Sequence, residues 1–425
     1  MTRIDFPRNL VALGRHAGAR FGSLLSGIGA LTGCALGLSH PTPPAGNATL
    51  VQLETYVREA IADGDPPSLS LAVSRGGRTV YERAFGYADG PRAVLASPET
   101  TYRWFSVTKP LTALAVLQLA EQGALSLSEP AATYLPYLSQ LYGSDAASLT
   151  LERLLSHRAG IGDVGNALLS WVHVTGHHNQ GQLLRQRLPE HVHFHPEELD
   201  RGHYSNLGYM ILGAVIEAAS SQSYEDYVTQ RVLLPLRMTR THYYYDEVFE
   251  PGTRHAVGSH PHDFLALMAS FSLDLDTLAR ERTRQRWWFQ HFSPDQTAPS
   301  GLISTSSDMV RFGQMMLNRG VLDGQRMVSE AAIARMTERR VAVSSSPAGA
   351  LPGWFFGDGW FIASDAHGRQ LLLHGGQGMA FTSLLVIRPD DGLVAAFAAN
   401  GTYLDGANGL ALMKVLTSVD WGHPP

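Results

Sequence analysis

The sequence predicts an α/β protein in which one antiparallel sheet is assembled from both ends of the chain. Near the amino end, the segment SLSLAVSRGGRTVYERAFGYAD (68–89) alternates apolar and polar residues around a Gly-Gly pair, which predicts a β-hairpin. Near the carboxyl end, RQLLLHGG, FTSLLVIRP and GLVAAFAAN have the composition of three further strands. Because helical patterns fill the chain between these groups, we expect the strands to meet in one sheet flanked by helices.

Other elements follow from local patterns. The segment LVQLETYVREAIADG (50–64) has helical spacing and ends at a glycine, PDDG (389–392) predicts a tight turn between the last two strands, and 407–419 predicts a closing helix. A buried helical stripe directly follows HYSN (203–206). Its members are Leu207, Met210, Ile211, Ala214, Val215 and Ala218.

The first residues have the composition of an export signal. Four arginines and one aspartate precede FGSLLSGIGALTGCALGL, an apolar run rich in small residues. Its stretch LTGC ends at Cys34, the single cysteine of the chain, and resembles a bacterial lipobox, in which that cysteine is lipidated. An ordinary signal peptide is the alternative. The pattern predicts an exported protein of the cell envelope or periplasm, held to the membrane only through lipid on Cys34.

The rest of the chain divides into a linker and one globular domain. Residues 1–34 are the predicted signal with its lipobox, and residues 35–50 include SHPTPPAGNAT, which is typical of a flexible linker. Residues 51–420 form the predicted domain, with a mainly helical insertion at about 160–300. The formal charge is −5 with no basic block, so nucleic acid is not an expected partner.

The stretch YRWFSVTKPL (102–111) contains one of only two lysines in the chain. Since Pro110 is tolerated only near the start of a helix, Ser106 is expected at a helix amino terminus, with Lys109 on the same face. A serine hydroxyl becomes a nucleophile when a base takes its proton; a desolvated lysine can do so, whereas arginine cannot. Taken alone, the motif also fits a surface lysine on a helix.

Four ordered blocks resemble one family together with SVTKPLTALAVLQLAEQGALSLSEPAATYLP. They are LLSHRAGIGD (154–163), YSNLGYMILGAVIEAASSQSYEDYV (204–228), GLISTSSDMVRFGQMML (301–317) and LLHGGQGMAFTSLLVIRPDDG (372–392). The chain resembles the penicillin-recognising serine hydrolases over roughly residues 50–420. It is most similar to the class C β-lactamase-like branch, which also includes D-alanyl-D-alanine carboxypeptidases, D-aminopeptidases and esterases.

This resemblance implies a β-lactamase-like three-layer sandwich and a role for each matching residue. Ser106 would be the nucleophile that forms an acyl-enzyme, and Lys109 and Tyr204 would transfer protons, with Tyr204 as base for the deacylating water. Asn206 would hold the acyl side of the substrate. The backbone N–H groups of Ser106 and Gln377 would form the oxyanion hole. The tripeptide YSN also fits a helix amino terminus capped by its serine or its asparagine.

The third motif departs from dedicated lactamases, which carry Lys-Thr-Gly where this chain has His374, Gly375 and Gly376. His374 and Gly376 are expected to bind substrate along a strand edge. An imidazole of ordinary pKa is mostly neutral at pH 7 and offers a substrate carboxylate little attraction. Protonation of His374 at lower pH is expected to improve the binding of β-lactams.

We therefore expect a serine hydrolase acting on small esters or amides, of the esterase or D-amino-acid peptidase type, without metal or cofactor. A β-lactamase that hydrolyses penicillins or cephalosporins is one alternative. A non-catalytic, penicillin-binding-like sensor or scaffold of the cell envelope is another.

Two further motifs are expected to have no catalytic role. His191, His193 and His195 alternate in EHVHFHPEELD (190–200) and could bind Zn²⁺ if extended, but a solvated loop is favoured. Trp287 and Trp288 lie in RQRWWFQHF (284–292) and predict lid packing, with a substrate-binding or membrane-facing wall as the alternative.

Overall fold

The computed structural model describes residues 41–44, 46–162, 172–174, 176–190, 194–247, 250–261, 275–345, 351–401 and 407–422. Cys34, His191 and His193 lie outside these ranges, so the lipobox and most of the histidine-loop zinc hypothesis concern residues outside the described part. Within the described ranges, no helix combines the length and apolar character needed to cross a bilayer.

The strands contain the alternating and apolar segments seen in the sequence. In chain order they are β1 Ser68–Arg75, β2 Arg78–Asp89, β3 Val94–Leu95, β4 Thr100–Arg103, β5 Ala159–Ile161, β6 Val172–His173, β7 Phe194–Leu199, β8 Gly202–His203, β9 Arg254–His255, β10 Ser259–Pro261, β11 Ala279–Arg282, β12 Arg286–Phe289, β13 Ser293–Pro294, β14 Ile303–Ser304, β15 Val321–Leu322, β16 Gln325–Arg326, β17 Val341–Ser345, β18 Phe355–Phe356, β19 Phe361–Ser364, β20 Gln370–Gly378, β21 Phe381–Arg388 and β22 Leu393–Ala399.

The α-helices lie mostly between the two groups of long strands. They are α1 Leu50–Ala62, α2 Thr108–Glu121, α3 Tyr137–Tyr142, α4 Leu151–Leu155, α5 Gln180–Arg187, α6 Asn206–Ser220, α7 Tyr224–Val228, α8 Leu275–Leu278, α9 Thr297–Ser300, α10 Ser306–Leu317, α11 Glu330–Met336 and α12 Ala407–Ser418. Short 3₁₀ turns occur at Phe105–Val107, Ala131–Thr133, Gly143–Ser148, Leu188–Glu190 and Pro389–Asp391, and a π turn at Thr229–Leu233.

One large sheet joins the two ends of the chain, as predicted. Its order is β3-β2-β1-β22-β21-β20-β19-β18-β17-β8, and its neighbours are antiparallel except for the parallel pair β17 and β8. Strand β1 pairs with β22 from Leu69 opposite Ala399 to Arg75 opposite Leu393. The hairpin turn between β1 and β2 uses Gly76 and Gly77, both with positive φ, which glycine adopts without steric cost.

Both faces of this sheet are covered, which produces the expected three-layer sandwich. Leu71 and Val73 of β1 belong to the apolar cluster formed with the terminal helices α1 and α12. Ala72, between them, belongs to the cluster formed with α2, α6 and α10. Successive side chains of a strand point to opposite faces, so the fully buried pattern of β1, β21 and β22 follows from helices on both sides.

The inserted region contains more strand than its sequence pattern indicates. Besides α5 to α9, the structure places β6 to β13 there, including a small sheet of order β10-β12-β11. Trp288 on β12 is buried, and its ring occupies the space into which a side chain at Gly90 would project. Trp288 therefore packs the insertion against the main domain, as the packing interpretation expected.

Candidate active site

Ser106 lies in the 3₁₀ turn that immediately precedes α2. The residue before it, Phe105, has a φ of 43°, a left-handed conformation that residues with a side chain rarely adopt and that occurs often at functional sites. Thr108 Oγ1 donates a hydrogen bond of 2.6 Å to the Phe105 carbonyl. The turn is therefore held in a strained shape that leaves Ser106 partly exposed at the junction of helix and sheet.

Lys109 is fully buried, and its amine is directed back at Ser106. The Nζ atom lies 3.2 Å from Ser106 Oγ, 2.7 Å from Asn206 Oδ1 and 3.1 Å from the Pro299 carbonyl oxygen. An ammonium group has three N–H donors, so these three acceptors fix its position. The structure therefore places Ser106 and Lys109 on one face of the turn, as the spacing predicted.

Two tyrosine rings complete the surroundings of this amine. Lys109 Nζ lies 4.7 Å from the ring centroid of Tyr204 and 5.6 Å from that of Tyr209. Aromatic faces attract a cation most strongly where water is excluded. Tyr204 is thus part of the wall around the lysine.

The helix-cap interpretation of the YSN tripeptide is confirmed for its serine. Ser205 caps α6, because its Oγ accepts the backbone N–H of Gly208 at 3.0 Å. The side chain of Asn206 is not the cap acceptor and instead reaches Lys109. Which residue would cap the helix could not be read from the sequence, because serine and asparagine both have that capacity.

His157 is a residue of this site to which the sequence analysis gave no role, although LLSHRAGIGD was part of the resemblance. Its ring stacks on Tyr204 with centroids 4.6 Å apart, and its Nδ1 accepts the backbone N–H of Ser205 at 3.1 Å. Burial, together with the charge of Lys109, lowers the pKa of His157 well below 6.5. A neutral imidazole therefore supports the face of Tyr204 and the start of α6.

His374 lies on β20 behind the tyrosine and is buried. Its Nδ1 donates to the Gly375 carbonyl at 2.8 Å, and its ring lies 5.2 Å from that of Phe361. Burial, and secondarily the charge of Lys109, lowers the pKa of His374 to about 3. The expectation that His374 gains a proton at moderately low pH is therefore wrong, because the imidazole has little contact with water and lies near a cation.

The next residues of β20 bring the strand against the turn that contains Ser106. A Cβ at Gly376 would lie 2.0 Å from the Trp104 carbonyl oxygen, so this position has no room for a side chain. The same carbonyl accepts a 2.9 Å hydrogen bond from Ser383 Oγ on the neighbouring strand. The missing side chain of Gly376 thus allows the backbone of β20 to lie close to that of Trp104. Gln377, which follows it, is exposed beside the turn of Ser106, where the predicted oxyanion hole requires a backbone N–H.

The described side chains of this centre are an amine, a hydroxyl, an amide, phenols and imidazoles. None of them belongs to a described group of His, Cys, Asp and Glu residues with metal-ligand spacing. The structure therefore brings together Ser106, Lys109, Tyr204, Asn206 and His374 from three separate stretches of chain. Such a constellation can support acyl transfer through a serine ester, because a nucleophile, candidate proton carriers and a polar substrate contact are adjacent.

Comparison with known proteins agrees with this geometry. The family model described as Beta-lactamase matches residues 53–416. The chain therefore belongs to the beta-lactamase family, a family of penicillin-binding-like serine hydrolases. Among curated relatives, Protein flp of Staphylococcus aureus is 25% identical over 362 residues, covering 84% of this chain and 64% of the relative, so the chain spans about two thirds of that protein's length.

Solved structures show the same fold. The octameric penicillin-binding protein homologue from Pyrococcus abyssi superposes with a TM-score of 0.68 at 25% identity, covering 87% of this chain and 77% of the other. The D-amino acid amidase from Ochrobactrum anthropi SV3, in complex with D-phenylalanine, gives a TM-score of 0.67 at 21% identity, covering 86% and 97%. The resemblance stated from the sequence motifs is confirmed.

Replacing Gly376 with alanine tests the close approach of β20 to the turn that contains Ser106. Because the added methyl would meet the backbone of Trp104, we expect Gly376→Ala to lower the free energy of unfolding by about 1–3 kcal/mol. Gly375→Ala is the matched control, since its Cβ would find its nearest atom at 3.9 Å. Urea unfolding measures both. Equal losses in the two variants would show that the strand does not pack as described.

The low pKa of His374 predicts a loss of stability in acid. Unfolded His374 takes up a proton near pH 6.5, whereas the folded imidazole does so near pH 3. The contribution of the neutral imidazole to the free energy of unfolding is therefore complete above pH 6.5 and is lost as the pH falls toward 3. At pH 5 the loss is about 2 kcal/mol. In His374→Gln, the slope of unfolding free energy against pH should decrease by up to about 1.4 kcal/mol per pH unit.

Urea unfolding at several pH values between 7 and 4.5 measures that slope. His195→Gln is the control, because His195 is a half-exposed histidine with 48% side-chain exposure. A slope that is unchanged in His374→Gln, or reduced equally in His195→Gln, would contradict the assignment of a buried neutral imidazole at position 374.

Proposed function

We propose that this protein is a hydrolase that cleaves small esters or amides through an acyl-enzyme on Ser106 Oγ. The observation that supports it most directly is the buried amine of Lys109, which lies 3.2 Å from that oxygen and 2.7 Å from Asn206 Oδ1. A buried ammonium loses hydration, and this one is directed at a serine hydroxyl with which it can exchange a proton. Membership of the beta-lactamase family supports the same reaction class.

In the first step, Ser106 Oγ attacks the acyl carbon and its proton passes to the Lys109 and Tyr204 pair. The bond between the acyl carbon and the leaving alcohol or amine then breaks, and the leaving group takes up that proton. Because an ammonium has no lone pair, Lys109 accepts this proton only as the neutral amine, a state that lysine can reach whereas the arginine guanidinium stays protonated. Asn206 and the Pro299 carbonyl hold Nζ so that its third position faces Ser106.

In the second step, water attacks the serine ester and gives its proton to the same pair, with Tyr204 as the favoured base. The acid product leaves and Ser106 regains its proton. Backbone N–H groups of Ser106 and Gln377 would stabilise the negative oxygen formed in each step. The stacked, neutral ring of His157 would keep Tyr204 in place without adding a second positive charge beside Lys109.

The substrate preference that we propose rests on the lack of charge at position 374. Dedicated lactamases carry a lysine there, whereas His374 is buried and stays neutral at working pH. A substrate carboxylate gains a charge-assisted hydrogen bond only from a charged donor. Uncharged acyl esters and amides are therefore favoured over penicillins. The likeness of the fold to a D-amino acid amidase supports the inclusion of amides among the substrates to test.

Substituting Lys109 tests the proton-transfer role separately from charge. We expect Lys109→Arg to reduce kcat/KM for a p-nitrophenyl ester by on the order of 10³-fold or more, although a positive charge is kept. Lys414→Arg makes the same change at the other lysine, which is exposed on α12, and should keep full activity. Ser106→Ala should abolish both turnover and labelling by a fluorophosphonate probe. Retained activity of Lys109→Arg would show that Lys109 does not carry a proton in the reaction.

A substrate panel tests the preference that follows from neutral His374. We expect short p-nitrophenyl esters to exceed nitrocefin in kcat/KM by about two orders of magnitude at pH 7, or roughly 2.7 kcal/mol. Because His374 stays neutral in mild acid, this ratio should not shift toward nitrocefin between pH 7 and 5.5. Faster hydrolysis of nitrocefin than of p-nitrophenyl butyrate would favour the lactamase alternative. Lack of both turnover and labelling in the wild type would favour the scaffold.

A further inference from the structure

A second cluster of chemically active side chains lies outside the Ser106 centre. His173 Nδ1 lies 2.6 Å from Asp295 Oδ1, and His178 Nδ1 lies 2.8 Å from the same oxygen. The ligand atoms of the three residues all lie within 4.8 Å of one another. Side-chain exposure is 2% for Asp295 and 10% for His173. Two imidazole nitrogens thus converge on one buried carboxylate oxygen.

The charge state of the carboxylate suits a cation. The second oxygen of Asp295 lies 3.2 Å from Arg187 Nη1. The negatively charged Oδ1 therefore faces the two imidazoles, and Oδ2 faces the guanidinium. In metal sites, a carboxylate ligand is commonly hydrogen-bonded by an outer residue in this way.

The chemistry of the three groups fits a metal ion. Two imidazole nitrogens and one carboxylate oxygen are a donor set that Zn²⁺ and its neighbours in the first transition row bind. Each imidazole would bind the ion through the lone pair of Nδ1 and keep its proton on Nε2.

We propose that His173 Nδ1, His178 Nδ1 and Asp295 Oδ1 bind a divalent transition-metal ion of the Zn²⁺ class, with water in the remaining position. Tetrahedral bonds of about 2.0–2.1 Å would separate neighbouring ligand atoms by about 3.3 Å. The present separations of 2.6 and 2.8 Å need to widen only slightly. His178 has 38% side-chain exposure and provides the entry path.

The position of this cluster gives the ion a structural role. His173 lies on β6, which pairs with β13 directly before Asp295. Asp295 in turn precedes α9, whose Pro299 carbonyl accepts the hydrogen bond from Lys109. An ion here would fasten the inserted region to the segment that positions the catalytic lysine. It has no place in the acyl-transfer step, so this inference does not depend on the proposed function.

The test uses the full chain without an affinity tag, stripped with EDTA and titrated with Zn²⁺ by calorimetry and with Co²⁺ by visible absorption. We expect one ion per chain and the ligand-field bands of tetrahedral Co²⁺. His178→Ala should weaken binding by more than about 100-fold, beyond the loss that outer-shell changes cause. Asp295→Asn should do the same, and Zn²⁺ should raise the Tm of the wild type but not of His178→Ala.

His177→Ala is the matched control. This neighbouring histidine lies outside the cluster, since its Nε2 contacts Asp246 at 2.8 Å and its ring stacks on Tyr244. It should bind both ions like the wild type. Because His178 is partly exposed, His178→Ala leaves the metal-free fold intact, which circular dichroism checks. No stoichiometric binding, binding that survives His178→Ala, or binding lost in His177→Ala would each overturn the proposal.

Discussion

The buried amine of Lys109 is the constraint on which the rest of the site depends. A charge removed from water is tolerated only where acceptors replace its hydration, and here they come from three stretches of chain: Ser106, Asn206 and the Pro299 carbonyl. Each acceptor belongs to a different element, so the helices can satisfy the amine only in one mutual arrangement. The hydrogen bonds of Lys109 Nζ thus fix how α2, α6 and α9 lie relative to one another.

The same charge explains why the neighbouring histidines are neutral. His157 and His374 lie buried near Lys109, and both burial and repulsion by the ammonium lower their pKa values. A second positive charge in this enclosed space would cost more free energy than its hydrogen bonds would provide. The imidazoles therefore act as polar but uncharged packing around Tyr204, and a lysine in the place of His374 would change both the charge and the packing of the site.

Close contact between two backbone segments brings β20 against the turn that contains Ser106. The strained turn at Phe105 and the absent side chain at Gly376 let β20 approach the Trp104 carbonyl. The turn of Ser106 and the backbone near Gln377 are thereby held side by side on packed, buried elements. The predicted β-lactamase-like sandwich gives this junction its rigidity, because helices cover both faces of the sheet.

The sequence by itself determined the terminal strands β1, β2, β20, β21 and β22, the main helices, the hairpin glycines and the common face of Ser106 and Lys109, because these depend on local periodicity and on backbone preferences. Only the tertiary structure decided that Ser205 caps α6, that His157 supports Tyr204, and that His374 stays neutral. Cap choice, ring stacking and the pKa of an imidazole depend on burial and on residues far apart in the chain. Local pattern carries no information on such contacts.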